Sequence, residues 1–177
     1  MKLIYIVLFL GTILFSNLSK AQSIVVVNVQ DLIDNNNIYQ ETIKRLEINQ
    51  EKYIKEFEKK EKEIQKILSD IEESKLILND NEINNQIENY NNQLNNFTIL
   101  VDNFNLHFQE QIIKIREKVL KEIIYLLENY AIENNVDLIL DSTSYLIASN
   151  SIDITDYISN ELKKINLQLE YKDFEKN

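Results

Sequence analysis

The sequence predicts a mainly α-helical protein with a small β body, in which a long antiparallel coiled-coil hairpin is inserted in a three-stranded sheet. Three observations predict it. The 177 residues hold one glycine and no proline, so loops are few and turns that need positive φ fall to Asn or Asp. Two matched apolar seams, spaced alternately four and three, lie on either side of a short polar break, which is the pattern of helices packed along their length. Short β-branched runs flank the pair of seams, and such runs read as strands.

The chain opens with Lys2, an apolar run from Leu3 to Phe15, and a polar stretch ending in Ser19-Lys20-Ala21. This is the pattern of a cleavable signal peptide over residues 1–21, with the mature chain starting at Gln22. The apolar run falls short of the roughly 20 residues that cross a bilayer. Without Lys2 and Lys20 the 19 basic residues become 17 against 29 acidic ones, a net charge of −12. A field of that sign repels phosphate backbones, so nucleic acid is not an expected partner. There is no cysteine, so neither a disulfide framework nor thiol chemistry is available.

Ser23-Ile24-Val25-Val26-Val27-Asn28-Val29 reads as a buried strand. The first seam then follows at Tyr39, Ile43, Leu46, Tyr53, Phe57, Ile64, Ile67, Ile71 and Leu78, with Gln50, Lys60 and Ser74 filling the remaining places. It predicts one helix of about 60 Å. Asn79-Asp80-Asn81-Glu82 interrupts the pattern and marks the hairpin tip. The second seam runs through Ile83, Ile87, Tyr90, Leu94, Phe97, Val101, Phe104 and Phe108. Its spacing then becomes 108, 112, 115, 119 before returning to four and three at Ile123, Leu126 and Tyr130, a local unwinding of the supercoil. The arm is thus expected over residues 36–130.

Val136-Asp137-Leu138-Ile139-Leu140-Asp141 and Tyr145-Leu146-Ile147-Ala148 read as two further strands joined by a turn, and residues 153–165 as an amphipathic helix. Residues 22–35 and 131–165 make up the expected body, and residues 166–177 a polar tail. Three short strands bury little, and Val25, Val26, Val27, Leu138 and Leu140 are expected to need other copies of the chain to cover them. The expected oligomerisation surface is Ile24, Val25, Val26, Val27, Val29, Leu138, Ile139, Leu140, Tyr145 and Ile147.

The stretch from Val136 to Ile165, with Asp137, Asp141, Tyr145 and Asp153-Ile154-Thr155, resembles the C-terminal signature of the Skp (OmpH-like) family of periplasmic chaperones. Ile24-Val25-Val26-Val27-Asn28-Val29 is similar to that family's first strand. The arms match only as a heptad pattern. The resemblance implies a homotrimer whose strands share a β-barrel body and whose hairpins surround a cavity. It implies a periplasmic, ATP-independent holdase that binds unfolded outer-membrane proteins, prevents their aggregation and needs no cofactor.

A second apolar set, Ile99, Leu106 and Ile113, recurs every seven residues about opposite the seam. Under the resemblance these are the candidate client-facing residues, with Ile48 and Leu76 at the equivalent outer position of the first helix. The competing reading is surface isoleucine and leucine scattered by composition. The tip, with Asp70, Glu72, Glu73, Asp80, Glu82 and Glu88 against Lys75 alone, departs from the basic character of the family's best-known member, so contact with anionic lipid is not expected. His107 is the lone histidine and has no partner spacing for a metal. No phosphate loop, nucleophile elbow or metal spacing occurs, so no enzyme is expected. The alternative function is a secreted structural or adaptor coiled coil, which gives no reason for a sheet at one end.

Overall fold

The computed structural model describes residues 22–175; the expected signal peptide lies outside them. Its elements are β1 (Ile24–Val27), α1 (Val29–Asp34), α2 (Asn37–Ser74), α3 (Asp80–Asn134), β2 (Leu138–Asp141) and α4 (Thr155–Leu162), with 3-10 turns at Ser142–Ser144 and Asn150–Ile152. The chain divides into two compact units. One joins the described residues up to Leu32 with Ile123–Lys164; the other joins Ile33–Glu122 with the chain from Ile165 onward.

In the first unit β1 pairs with β2 in parallel, Ile24 with Leu138 through Val27 with Asp141. The other side of β1 carries a single bridge between Val26 and Asp153. Among the described residues the sheet therefore has two strands, not three. The expected third strand, Tyr145–Ala148, makes no ladder, and Leu146 and Ile147 in it are 100% and 91% exposed. A short apolar run marks a strand only where an edge is available to pair with it, and here Ile154 N–H donates to Val26 O at 2.9 Å on that side of β1.

Side chains fasten the backbone of β1. Asp137 Oδ2 accepts from Ser23 N at 2.8 Å, Thr155 Oγ1 accepts from Asn28 N at 2.9 Å, and Asp141 Oδ2 accepts from Val29 N at 3.1 Å. Val29 itself departs from the strand expectation: it is the first residue of α1, and Asn28 caps that helix by accepting from Asp31 N at 3.1 Å. Val25, Val26 and Val27 are buried within the single chain, together with Leu32, Ile123, Ile154, Ile158 and Leu162. The expectation that these valines need other copies is therefore corrected: helices of the same unit supply the apolar cover. Ile24 and Leu138 stay open, whereas Ile139, Leu140 and Tyr145 are half-buried.

The second unit is an antiparallel pair formed by α2 and the part of α3 up to Glu122, as the contacts of Tyr53 with Phe104 and of Phe57 with Phe97 establish. The 38 residues of α2 span about 57 Å. Asn36 opens α2 by accepting from Tyr39 N at 2.9 Å. The tip turn falls at 75–79 instead of 79–82. Asn79 and Glu82 form a reciprocal capping box, Asn79 Oδ1 accepting from Glu82 N at 3.1 Å and Glu82 Oε2 from Asn79 N at 3.2 Å, so Asp80 to Glu82 are already the first turn of α3. At the far end of α3 Asn135 takes φ 51°, and Val136 N donates to Ala131 O at 2.9 Å, closing the helix in the left-handed manner usually given to glycine.

Asp141 also accepts from Thr143 N at 3.0 Å and Thr143 Oγ1 at 2.7 Å. These bonds, that from the Thr143 backbone first, hold its carboxyl below the ordinary carboxylate range. A depressed carboxyl contributes stability at pH values above its unfolded value and loses it as pH falls through the folded one. Asp141→Asn keeps a single acceptor oxygen, so at neutral pH it should cost on the order of 1 kcal/mol. The gap between variant and parent, followed by urea unfolding across pH, should narrow below about pH 4.

Candidate functional site

The candidate site lies on the second unit. The seam of α2 and α3 is aromatic at its middle: Phe57 meets Phe104 edge-on at 4.8 Å between centroids, Phe104 meets Phe108 at 4.7 Å, and Tyr53 lies 5.8 Å from Phe104. Aromatic pairs at these distances and tilts add stabilisation beyond their buried area. The seam departs from the expected spacing beyond Phe108. Gln111 is buried there, and Ile112, expected in the seam, is 40% exposed.

The physical reason is the chain beyond Ile165, which is not a free polar tail. Leu167, Leu169 and Phe174 are buried. Phe174 stands edge-on to Tyr53 at 5.7 Å and to Phe104 at 5.4 Å, and lies 5.6 Å from His107. Gln111 turns inward because its Oε1 accepts from Lys172 N at 3.0 Å. His107 Nε2 donates to Lys172 O at 2.9 Å, Tyr53 OH donates to Phe174 O at 3.0 Å, and Asn49 Nδ2 donates to Asp173 Oδ1 at 2.8 Å. The sequence signal for this segment is the alternation Leu167, Leu169, Tyr171 among the polar residues Asn166, Gln168, Glu170 and Lys172.

The sequence-predicted apolar set is where the heptad spacing puts it. Ile99, Leu106 and Ile113 are about half exposed on α3, and Ile48 is exposed on α2. Leu76 is 94% exposed in the tip turn. Ile99 lines an open groove of about 500 Å³ with Phe97, Leu100 and Asn103. Leu106 lines a second, of about 480 Å³, with Leu100, Asn103, His107 and Phe174. Leu100 and Asn103 border both, so Ile99 and Leu106 belong to adjoining depressions of mixed polar and apolar lining; Ile113 lines neither. Chemically this surface offers apolar area, two backbone-directed donors and one amide acceptor.

Among the described residues no three His, Cys, Asp or Glu side chains gather as a metal site, and no helix is long and apolar enough to cross a membrane. His107 is engaged by the Lys172 carbonyl. Two acids of the arm form ordinary helix-surface pairs, Glu110 with Lys114 at 3.1 Å and Glu63 with Lys60 at 3.3 Å, each worth a few tenths of a kcal/mol at about this exposure.

A family description, outer membrane protein (OmpH-like), matches residues 23–162. No curated protein matches the chain. Among solved structures, a protein of Caulobacter crescentus CB15 provisionally described as an outer membrane chaperone (OmpH-like) is similar in fold. Its TM-score is 0.66 at 10% identity, covering 90% of this chain and 95% of that one.

Because Phe104 is 2% exposed and touches four aromatic rings, those of Tyr53, Phe57, Phe108 and Phe174, Phe104→Ala should lower unfolding stability by about 3–5 kcal/mol. Ile99→Ser, on the open surface, should change it by no more than about 0.5 kcal/mol. Urea titrations of the two variants followed by circular dichroism check the contrast.

Proposed function

Because the chain belongs to the outer membrane protein (OmpH-like) family, we propose that it is an ATP-independent periplasmic holdase chaperone that keeps unfolded outer-membrane proteins from aggregating. The observation that carries this reading is the line of Ile99, Leu106 and Ile113, apolar and half exposed on an otherwise polar helix face. An unfolded β-barrel protein presents strands with alternate apolar side chains. Burying each exposed leucine or isoleucine against such a strand offers on the order of 1–3 kcal/mol. Several weak contacts of that size hold a client reversibly without nucleotide or cofactor.

The same reading takes the working form to be a homotrimer with the hairpins around a cavity. Ile24, Leu138, Leu146 and Ile147, all open to solvent in the single chain, are the apolar surface that joining of copies would cover, Ile139, Leu140 and Tyr145 lying beside it. Such exposed apolar surface on an exported body is the kind that marks an interface. Val25, Val26 and Val27 support the body from inside and do not form the contact. Lipid is not proposed as a partner, because the tip carries an excess of acids, which an anionic surface repels.

The chain from Gln22 should measure as a trimer by light scattering and keep a urea-diluted outer-membrane β-barrel protein soluble in a stoichiometric complex. A monomer would remove the cavity, and a trimer that leaves aggregation unchanged would remove the holdase.

A further inference from the structure

The segment after α4 lies beyond the stretch that matches the family, residues 23–162, yet it is seated on the hairpin. It has no helix or strand of its own. From Leu167 to Tyr171 its residues alternate: Leu167 and Leu169 are buried, Tyr171 is half-buried, and Gln168 and Glu170 are exposed. That is the two-residue period of an extended chain with one face covered. A four-residue helical period would instead have buried Leu167 with Tyr171 and left Leu169 open.

The hairpin reads this segment chiefly through its backbone. Gln111 accepts from the Lys172 N–H, His107 donates to the Lys172 carbonyl, and Tyr53 donates to the Phe174 carbonyl. Tail side chains join the hydrogen bonding at Asp173, which accepts from Asn49, and at Tyr171, whose hydroxyl reaches Arg45 O at 3.3 Å, and the Phe174 ring packs on Tyr53, Phe104 and His107. Backbone bonds carry no sequence information, so apart from the place that the Phe174 ring takes this surface selects an extended chain with apolar residues at alternate positions rather than a particular sequence. Asn49 Oδ1 is buried without a hydrogen-bond partner, so the tail leaves one acceptor of the groove unused.

We propose that the groove bordered by Tyr53, Phe104, His107 and Gln111 is a binding site for one extended, strand-like client segment, and that residues 165–175 are its resident occupant, displaced when a client strand binds. The identity of the ligand rests on the chaperone reading above. Transmembrane β-strands of an unfolded barrel protein have the required alternation, and the tail imitates one. Leu106 borders both the tail-filled groove and open solvent, so a displacing strand would reach Leu106 as it enters. The resident segment lowers the apparent affinity for any other strand by the fraction of time for which it is seated. It also keeps the aromatic floor covered when no client is present.

The test uses the chain from Gln22 to Asn177 and a fluorescent peptide with the sequence of residues 166–175. A reordered peptide of equal composition, with its apolar residues contiguous, is the control. Leu169→Asn with Phe174→Asn unseats the tail and should bind the alternating peptide about tenfold more tightly than the parent does, with little binding of the reordered one. In a second variant Asn49→Cys and Asp173→Cys, the only cysteines present, are joined by a short bis-maleimide. Linkage should abolish peptide binding that the unlinked variant shows, which decides the matter even if the tail-freed variant loses helix by circular dichroism. Equal peptide affinity with and without the link, or equal binding of the two peptides, would overturn the site. Aggregation of a urea-diluted barrel protein, measured with the same proteins, separates the two levels. Suppression without peptide binding overturns this inference and leaves the chaperone reading standing; peptide binding without suppression by any variant keeps the strand site and ends the chaperone reading.

Discussion

The structure depends on the fastening of a four-residue strand, β1, by partners more than a hundred positions away. β1 pairs with β2 across intervening residues 28–137, a loop whose closure alone costs about 4 kcal/mol by the logarithmic law, apart from a constant. Four residue pairs of parallel ladder are a weak offset. The added acceptors, Asp137 for Ser23 N, Thr155 for Asn28 N and Asp141 for Val29 N, occupy backbone donors that the short ladder leaves free. The same Asp141 caps the following turn, so one carboxylate joins three segments. An antiparallel helical pair is an economical insertion between such strands, because it returns its chain to where it started.

The rest follows from the described residues having neither glycine nor proline. Asparagine takes over helix punctuation at Asn28, Asn36, Asn79 and Asn135. With so few breaks, long helices are the available solution. Long helices in a two-helix arm have more surface than one seam can bury, which leaves Ile99, Leu106 and Ile113 exposed, the first two of them beside the grooves. Under the proposed function, exposed apolar area of that kind is the surface that meets a client.

Much of this was legible in the residues. The arm was readable because heptad spacing is a local, repeated signal, and the buried members Leu46, Phe57, Ile64, Ile71, Phe104 and Phe108 all lie on the expected seams. Asp137, Asp141 and Thr155 stood out as part of a family signature, and their physical role, holding the backbone of β1, emerged only in three dimensions. The errors share one cause. Tyr145–Ala148 has the composition of a strand without an edge to pair with, and residues 166–175 have the composition of a tail while a groove exists to receive them. Gln111 for Ile112 in the seam follows from that same docking, since its amide serves Lys172. Local composition carries no record of a distant partner.

The central claim is that an unfolded client is held on the exposed apolar line of the hairpin, and site-specific photo-crosslinking tests it most directly. A benzoylphenylalanine placed singly at Ile99, Leu106 or Ile113, or at the exposed polar positions Asp102 and Glu117, would be illuminated in the presence of a urea-diluted outer-membrane barrel protein. The account predicts client adducts from the three apolar positions and few from the two polar ones. Equal adducts from all five, or adducts confined to Asp102 and Glu117, would contradict it.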